Sequence, residues 1–182
     1  MLKINEIFYS VQGEGFHTGM PCVFVRLSGC NKKCSWCDTK HNTGTNMTVK
    51  EIVKEIKKYK VKNIVITGGE PTIQDTEELA KELSNLDYFV AMETNGTGSV
   101  SDVDWITISP KDKKVRKDIF YDECKVVWTG KEDLKWFRKN IKADHYYLQP
   151  CSMKNVKETV EKVKQNPTWD LSLQCQKLIN IA

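Results

Sequence analysis

Strand-sized apolar runs recur along this chain with helical patterns between them, and that alternation restricts the fold to βα units wound around a parallel sheet. Runs rich in β-branched and aromatic residues cover 4–9, 22–27, 63–67, 88–93, 105–109, 125–128, 146–148 and 171–174. Three helices are well marked. Thr48 and Glu51 form a capping box, after which Ile52, Val53, Ile56 and Tyr59 fall on one stripe. Asp75 and Glu78 open a second helix that turns Leu79, Leu83 and Leu86 inward. Ser152 opens a third, which carries Val156, Val160 and Val163 and is stopped by Pro167. A weaker helical pattern covers 131–140. With 182 residues and no linker-like or repeated tract, the chain reads as one domain over 1–182.

In sheets of this kind the loops at the carboxyl ends of the strands carry the chemistry. The unusual residues of this chain collect there: Gly68-Gly69-Glu70 after NIVIT, Thr94-Asn95-Gly96 after YFVAME, Ser109-Pro110-Lys111 after WITI and Gln149-Pro150 after YYL. The charge balance is mild, 28 Lys and Arg against 24 Asp and Glu for a net +4. Most lysines stand beside glutamates on helix faces such as KEIVKEIKKYK, the pattern of a solvated surface. KDKKVRKD, residues 111–118, is the exception, with five cations able to attract an anion. No aromatic residue is interleaved there for base stacking, which argues against direct nucleic-acid binding. No apolar run approaches a membrane span, and MLKINEIFYS lacks the layout of a secretion signal, so a cytoplasmic location with no membrane contact is expected.

That compartment keeps thiols reduced, and the chain has 7 cysteines, an odd number that favours ligands over disulfides. Cys22, Cys124, Cys151 and Cys175 stand apart and read as small buried apolar residues. Cys30, Cys34 and Cys37 crowd into GCNKKCSWCDT, a C-x3-C-x2-C spacing that lets one short loop wrap three irons of a cubane. A structural zinc would need a fourth thiolate or histidine, with His41 the nearest candidate. A ferredoxin-type centre would need a fourth Cys, and none follows at a regular interval. Three ligands leave one iron open to a small chelator, as catalysis requires.

The cysteine spacing together with Gly68-Gly69-Glu70-Pro71 resembles the radical S-adenosylmethionine (SAM) superfamily. The resemblance implies an α/β fold, an abridged partial (β/α) barrel with a mostly parallel sheet. It also implies a 4Fe–4S cluster on Cys30, Cys34 and Cys37 whose open iron is chelated by SAM, and an electron from the cluster that cleaves SAM to a 5′-deoxyadenosyl radical. A narrower resemblance spans nearly the whole chain. EIFYSVQGEG, a strand ending in Arg26, CDT, TGGEPT, METNGT, SPK, LQP and a terminal LSLQ with Lys177 together are similar to the 7-carboxy-7-deazaguanine synthase family. Those lyases contract the ring of 6-carboxy-5,6,7,8-tetrahydropterin with loss of ammonia, on the route to queuosine and related deazapurines.

The resemblance assigns expected roles. Gln12, Gly13 and Glu14 would read the pterin's amide edge, Arg26 would take the substrate carboxylate with its planar fork, and Thr67 and Gln176 would also face substrate. Glu93 would act as hydrogen-bond acceptor or proton-transfer group. Trp36, Cys37, Asp38, Gly69, Glu70, Ser109, Pro110, Lys111, Gln149, Pro150, Cys151 and Ser152 would line the SAM site. Thr39 would bind Mg²⁺, whose remaining ligands come from substrate and water. A homodimer and an electron donor such as flavodoxin are implied in the same way. At one position the chain departs from the family, which commonly has histidine where this chain has Gln176. Glutamine carries no proton charge, so an acid–base role is not expected there. Two other readings stay open: an activase of glycyl-radical enzymes, and a non-catalytic zinc or iron–sulfur module.

Overall fold

Period-two alternation decides which residues of this protein reach its interior cavity. The computed structural model describes residues 1–181. In chain order the elements are β1 (Leu2–Val11), β2 (Pro21–Leu27), β3 (Thr45–Met47), α1 (Val49–Ile56), β4 (Asn63–Gly68), α2 (Glu77–Asn85), β5 (Phe89–Thr94), β6 (Trp105–Ile108), β7 (Phe120–Trp128), α3 (Leu134–Asn140), β8 (Lys142–Pro150), α4 (Val156–Lys164), β9 (Asp170–Leu171) and α5 (Cys175–Leu178). The strands make one sheet of nine, in the order β3-β1-β2-β4-β5-β6-β7-β8-β9. β1 pairs antiparallel with β2 and β3, and every other neighbouring pair is parallel. The expected α/β architecture with a mostly parallel sheet is therefore present. It is abridged where β5 joins β6 and β6 joins β7, since neither connection contains a helix.

One face of the sheet is covered by helices. Val23, Val25 and Leu27 of β2, Ile64 and Ile66 of β4, and Val90 and Met92 of β5 pack there against Ile52, Val53 and Ile56 of α1 and Leu79 and Leu83 of α2. Further along, Cys124, Val126 and Trp128 of β7 meet Leu134 and Phe137 of α3. The intervening residues point to the other face, where Cys22, Phe24, Val65 and Ala91 form a small core of their own. α1 starts where its capping box predicts. Thr48 N donates to Glu51 Oε2 at 2.7 Å, and Glu51 N to Thr48 Oγ1 at 3.3 Å.

Several elements differ from expectation. β3 is short and exposed and carries too little apolar pattern to announce itself. β7 begins at Phe120 and β8 at Lys142, because polar residues alternate through both strands where they pair with each other. The run 171–174 pairs only through Asp170–Leu171, after which Gln174 turns toward the cavity. The third helix starts at Val156; the turn Cys151–Met153 ahead of it places Ser152 and Met153 at φ 48 and 62, which no helix accommodates. Among the described residues no helix is long and apolar enough to cross a membrane. The basic stretch is largely spent locally: Lys113 pairs with Asp133, Arg116 with Asp118, and Lys117 donates to Asn140.

Candidate active site

On the face opposite α1 and α2 the alternation turns polar toward the carboxyl ends of the strands. Two residues beyond Val65 stands Thr67, two beyond Ala91 stands Glu93, and two before Val127 stands Lys125. Pairing registers set these side chains in rows, with Arg26 opposite Thr67, Glu93 opposite Thr107, and Val127 opposite Gln149. Together they floor a cavity of about 650 Å³. Phe8, Val11 and Phe24 supply its apolar wall, and Cys30, Cys34 and Cys37 all line it.

Most of the expected site residues meet here: Gln12, Gly13, Glu14, Arg26, Trp36, Asp38, Thr39, Thr67, Gly69, Glu93, Ser109, Lys111, Gln149, Ser152 and Gln176, with the three cysteines. Glu70, Pro110, Pro150 and Cys151 do not line it. Glu70 lies behind the wall at 0% exposure. Its carboxylate accepts from Thr72 N at 3.1 Å, Thr72 Oγ1 at 2.6 Å, Thr94 Oγ1 at 2.5 Å and Asn95 N at 2.6 Å, so its side chain bolts the loop after β4 to the end of β5. Arg26 donates from Nε to Glu6 at 2.7 Å and lies over the Phe8 ring.

The polar residues form a continuous belt. Thr67 Oγ1 donates to Glu93 Oε2 at 3.1 Å, and Gln12 Nε2 donates to Glu93 Oε1 at 2.9 Å. Glu14 N donates to Gln12 Oε1 at 3.2 Å. The Glu14 carboxylate accepts from Lys125 Nζ at 2.6 Å and from Gln174 and Gln176, each at 2.9 Å. Gln174 also donates to Asp38, which pairs with Lys177. Burial pushes the Glu14 carboxyl up, but the Lys125 charge and the three donors more than offset it and hold the group down at about 2. Lys125 is itself pushed down by burial and carried back above the ordinary lysine value by Glu14, Glu93 and Glu123. Lys111 donates to Ser109 at 2.7 Å and sits over the Trp36 ring at 5.2 Å.

Lys125 and Gln174 escape a reading of the sequence. Lys125 looks like the exposed start of a strand, although counting back in twos from Val127 would place it inside. Gln174 is reached only because the chain leaves the sheet after Leu171. Of the lone cysteines, Cys22 and Cys124 are buried as expected, and Cys151 and Cys175 are half-buried.

The donor set fits an iron–sulfur cluster open at one corner. The three thiols line one cavity, and among the described residues no fourth cysteine lines it with them. His41 lines the cavity with Nδ1 buried and unpaired. The loop after β4 packs so closely on the cysteine loop that a Cβ on Gly69 would lie 2.0 Å from the Gly29 oxygen, and only glycine allows that approach.

A model of the Radical SAM superfamily matches residues 24–109. The chain is 48% identical to 7-carboxy-7-deazaguanine synthase of Bacteroides thetaiotaomicron over 182 residues, 100% of this chain and 99% of that protein. It is 41% identical to 7-carboxy-7-deazaguanine synthase of Haemophilus influenzae, over 98% of this chain and 93% of that one. The crystal structure of QueE from Escherichia coli matches with a TM-score of 0.81 at 27% identity, over 96% of this chain and 94% of that chain.

Proposed function

The chain belongs to the 7-carboxy-7-deazaguanine synthase family of radical SAM enzymes, and from that premise we propose that it converts 6-carboxy-5,6,7,8-tetrahydropterin to 7-carboxy-7-deazaguanine on the queuosine route. The conversion is a ring contraction with loss of ammonia. The reading rests on one observation above all: a single cavity gathers three thiols, the residues after β6 and β8, and a belt of acceptors and donors suited to a heterocycle.

Cys30, Cys34 and Cys37 would hold the 4Fe–4S cluster, and Gly69, Ser109, Lys111, Gln149 and Ser152 would border SAM. When bound, these groups supply a reducing electron and hydrogen-atom abstraction. The chain's own residues do the rest. Gln12 and Glu14 orient the ring through its polar edge, and Arg26 offers a guanidinium to the substrate carboxylate. Glu93, held by Thr67 and Gln12, presents a carboxylate to receive or return a proton as the ring contracts. Phe8, Val11 and Phe24 keep water from the ring. Thr39, which lines the same cavity, would offer its hydroxyl to Mg²⁺. Gln176 donates to Glu14, which supports a positioning role and not proton transfer. Residues 1–182 act as one radical SAM domain, and the enzyme works in the cytoplasm as a homodimer reduced by a flavodoxin-like donor.

The anaerobically reconstituted chain, given the tetrahydropterin, SAM, reductant and magnesium, is expected to form the deazaguanine acid, read by mass. Thr39→Ala is expected to weaken the magnesium dependence while the cluster absorption stays. Cleavage of SAM without that product would point to a glycyl-radical activase, and a colourless chain retaining zinc to a non-catalytic module; either outcome overturns the reading.

A further inference from the structure

Glu14 is held far more firmly than a turn carboxylate needs. Oε2 accepts from Lys125 Nζ at 2.6 Å, and Oε1 from the amide nitrogens of Gln174 and Gln176, both at 2.9 Å. The donors come from β7 and from the segment after β9, more than a hundred residues away in sequence. Lys125 is only 4% exposed, and a buried ammonium is costly unless its charge is matched. It also lies 3.9 Å from Glu93, so it stands between the two carboxylates of the belt. Because an ionised carboxylate offers roughly four lone-pair sites and the protein fills three of them, one acceptor site remains for a ligand.

We propose that Lys125 is a positioning residue that keeps Glu14 ionised and fixed, so that its remaining lone pair selects a ring whose 2-position carries an amino donor over the analogue whose 2-position carries an oxo acceptor. The inference rests on the reading above that a pterin enters the cavity. A carbonyl in place of the amino group would set lone pairs against a charged acceptor with no donor between them. A mobile or protonated Glu14 could rotate to donate instead, and the discrimination would fade.

The test uses the reconstituted holoenzyme with SAM and two fluorescent probes, 6-carboxypterin and its 2-oxo counterpart 6-carboxylumazine. Wild type is expected to bind the pterin at least about 30-fold more tightly than the lumazine, within the range of a charged hydrogen bond. Lys125→Met is expected to weaken pterin binding at least tenfold and cut the preference below about threefold, with iron content and melting behaviour as checks on the fold. Lys125→Arg should recover part of the preference. A Lys125→Met protein that loses affinity for both probes equally, or keeps its preference, overturns the proposal. Should that variant not fold, Gln174→Met removes a neutral donor from the same carboxylate and is expected to lower the preference by a smaller factor; an unchanged ratio there overturns it as well. Wild type that binds neither probe overturns the pterin reading itself.

Discussion

The two walls of the cavity are built by different rules. On the strand side Thr67, Glu93, Lys125 and Gln149 project from strands that have a neighbour on each flank, and their side chains are hydrogen-bonded to one another or to neighbouring loops. On the cysteine side residues 28–44 contain no helix or strand. That loop is held by scattered bonds in place of a ladder, among them Gly29 N to the His41 carbonyl at 2.8 Å, Cys37 N to the Cys34 carbonyl at 3.1 Å, Asn95 to Asn31 at 2.8 Å, and the ion pairs Lys32–Asp112 and Asp38–Lys177. A wall that must recognise a small ring needs side chains fixed before the ligand arrives. A wall that holds a metal cluster can leave part of its ordering to the metal. Stability and metal loading should therefore separate by mutation.

The sharpest break falls on the cluster side. Cys34→Ala is expected to abolish cluster absorption and product formation while shifting the melting temperature by only a few degrees, about 1 kcal/mol or less. A much larger fall, seen by calorimetry, would mean that the loop carries the fold. Glu70→Ala should do the reverse. It strands four donors behind the wall and is expected to cost about 3–5 kcal/mol in urea unfolding, a loss under 1 kcal/mol showing that Glu70 is no bolt. Gly69→Ala tests the seam between the walls. Its Cβ must push the Gly29 carbonyl aside, so iron content per chain should fall by about half or more with stability reduced by about 1–2 kcal/mol.

Weaker effects sharpen the same contrast. Glu14 has its carboxyl held down at about 2, so the stability it contributes is complete above the ordinary carboxylate range and is lost as pH falls toward 2. Glu14→Gln should flatten that acid limb of the unfolding free energy, and an unaltered limb would show that the clamp does not keep the group ionised. Lys177→Ala, which frees the half-exposed Asp38, should alter stability by less than about 1 kcal/mol, measurable by the same unfolding titration.

Legibility follows the same division. The parallel strands and their ends were readable because NIVITG and FVAMET must bury both faces, which leaves a continuous apolar run closed by a polar residue. The cysteine loop was readable because metal ligation constrains spacing directly. The inward burial of the Glu70 side chain was not legible, because a motif records that a carboxylate is needed, not which side of the wall it faces. Lys125 was missed because a lysine at the edge of an apolar run looks solvated until the neighbouring strand is in place.

Local chemistry in the chain determined the βα alternation, the three clustered thiols and the capped first helix, since each depends on residues a few positions apart. The union of Glu14 with Lys125, Gln174 and Gln176 was settled only when β7 and the segment after β9 came to lie against the loop after β1. The physical reason is that a buried charge finds its partner through the fold, across separations that no local pattern encodes.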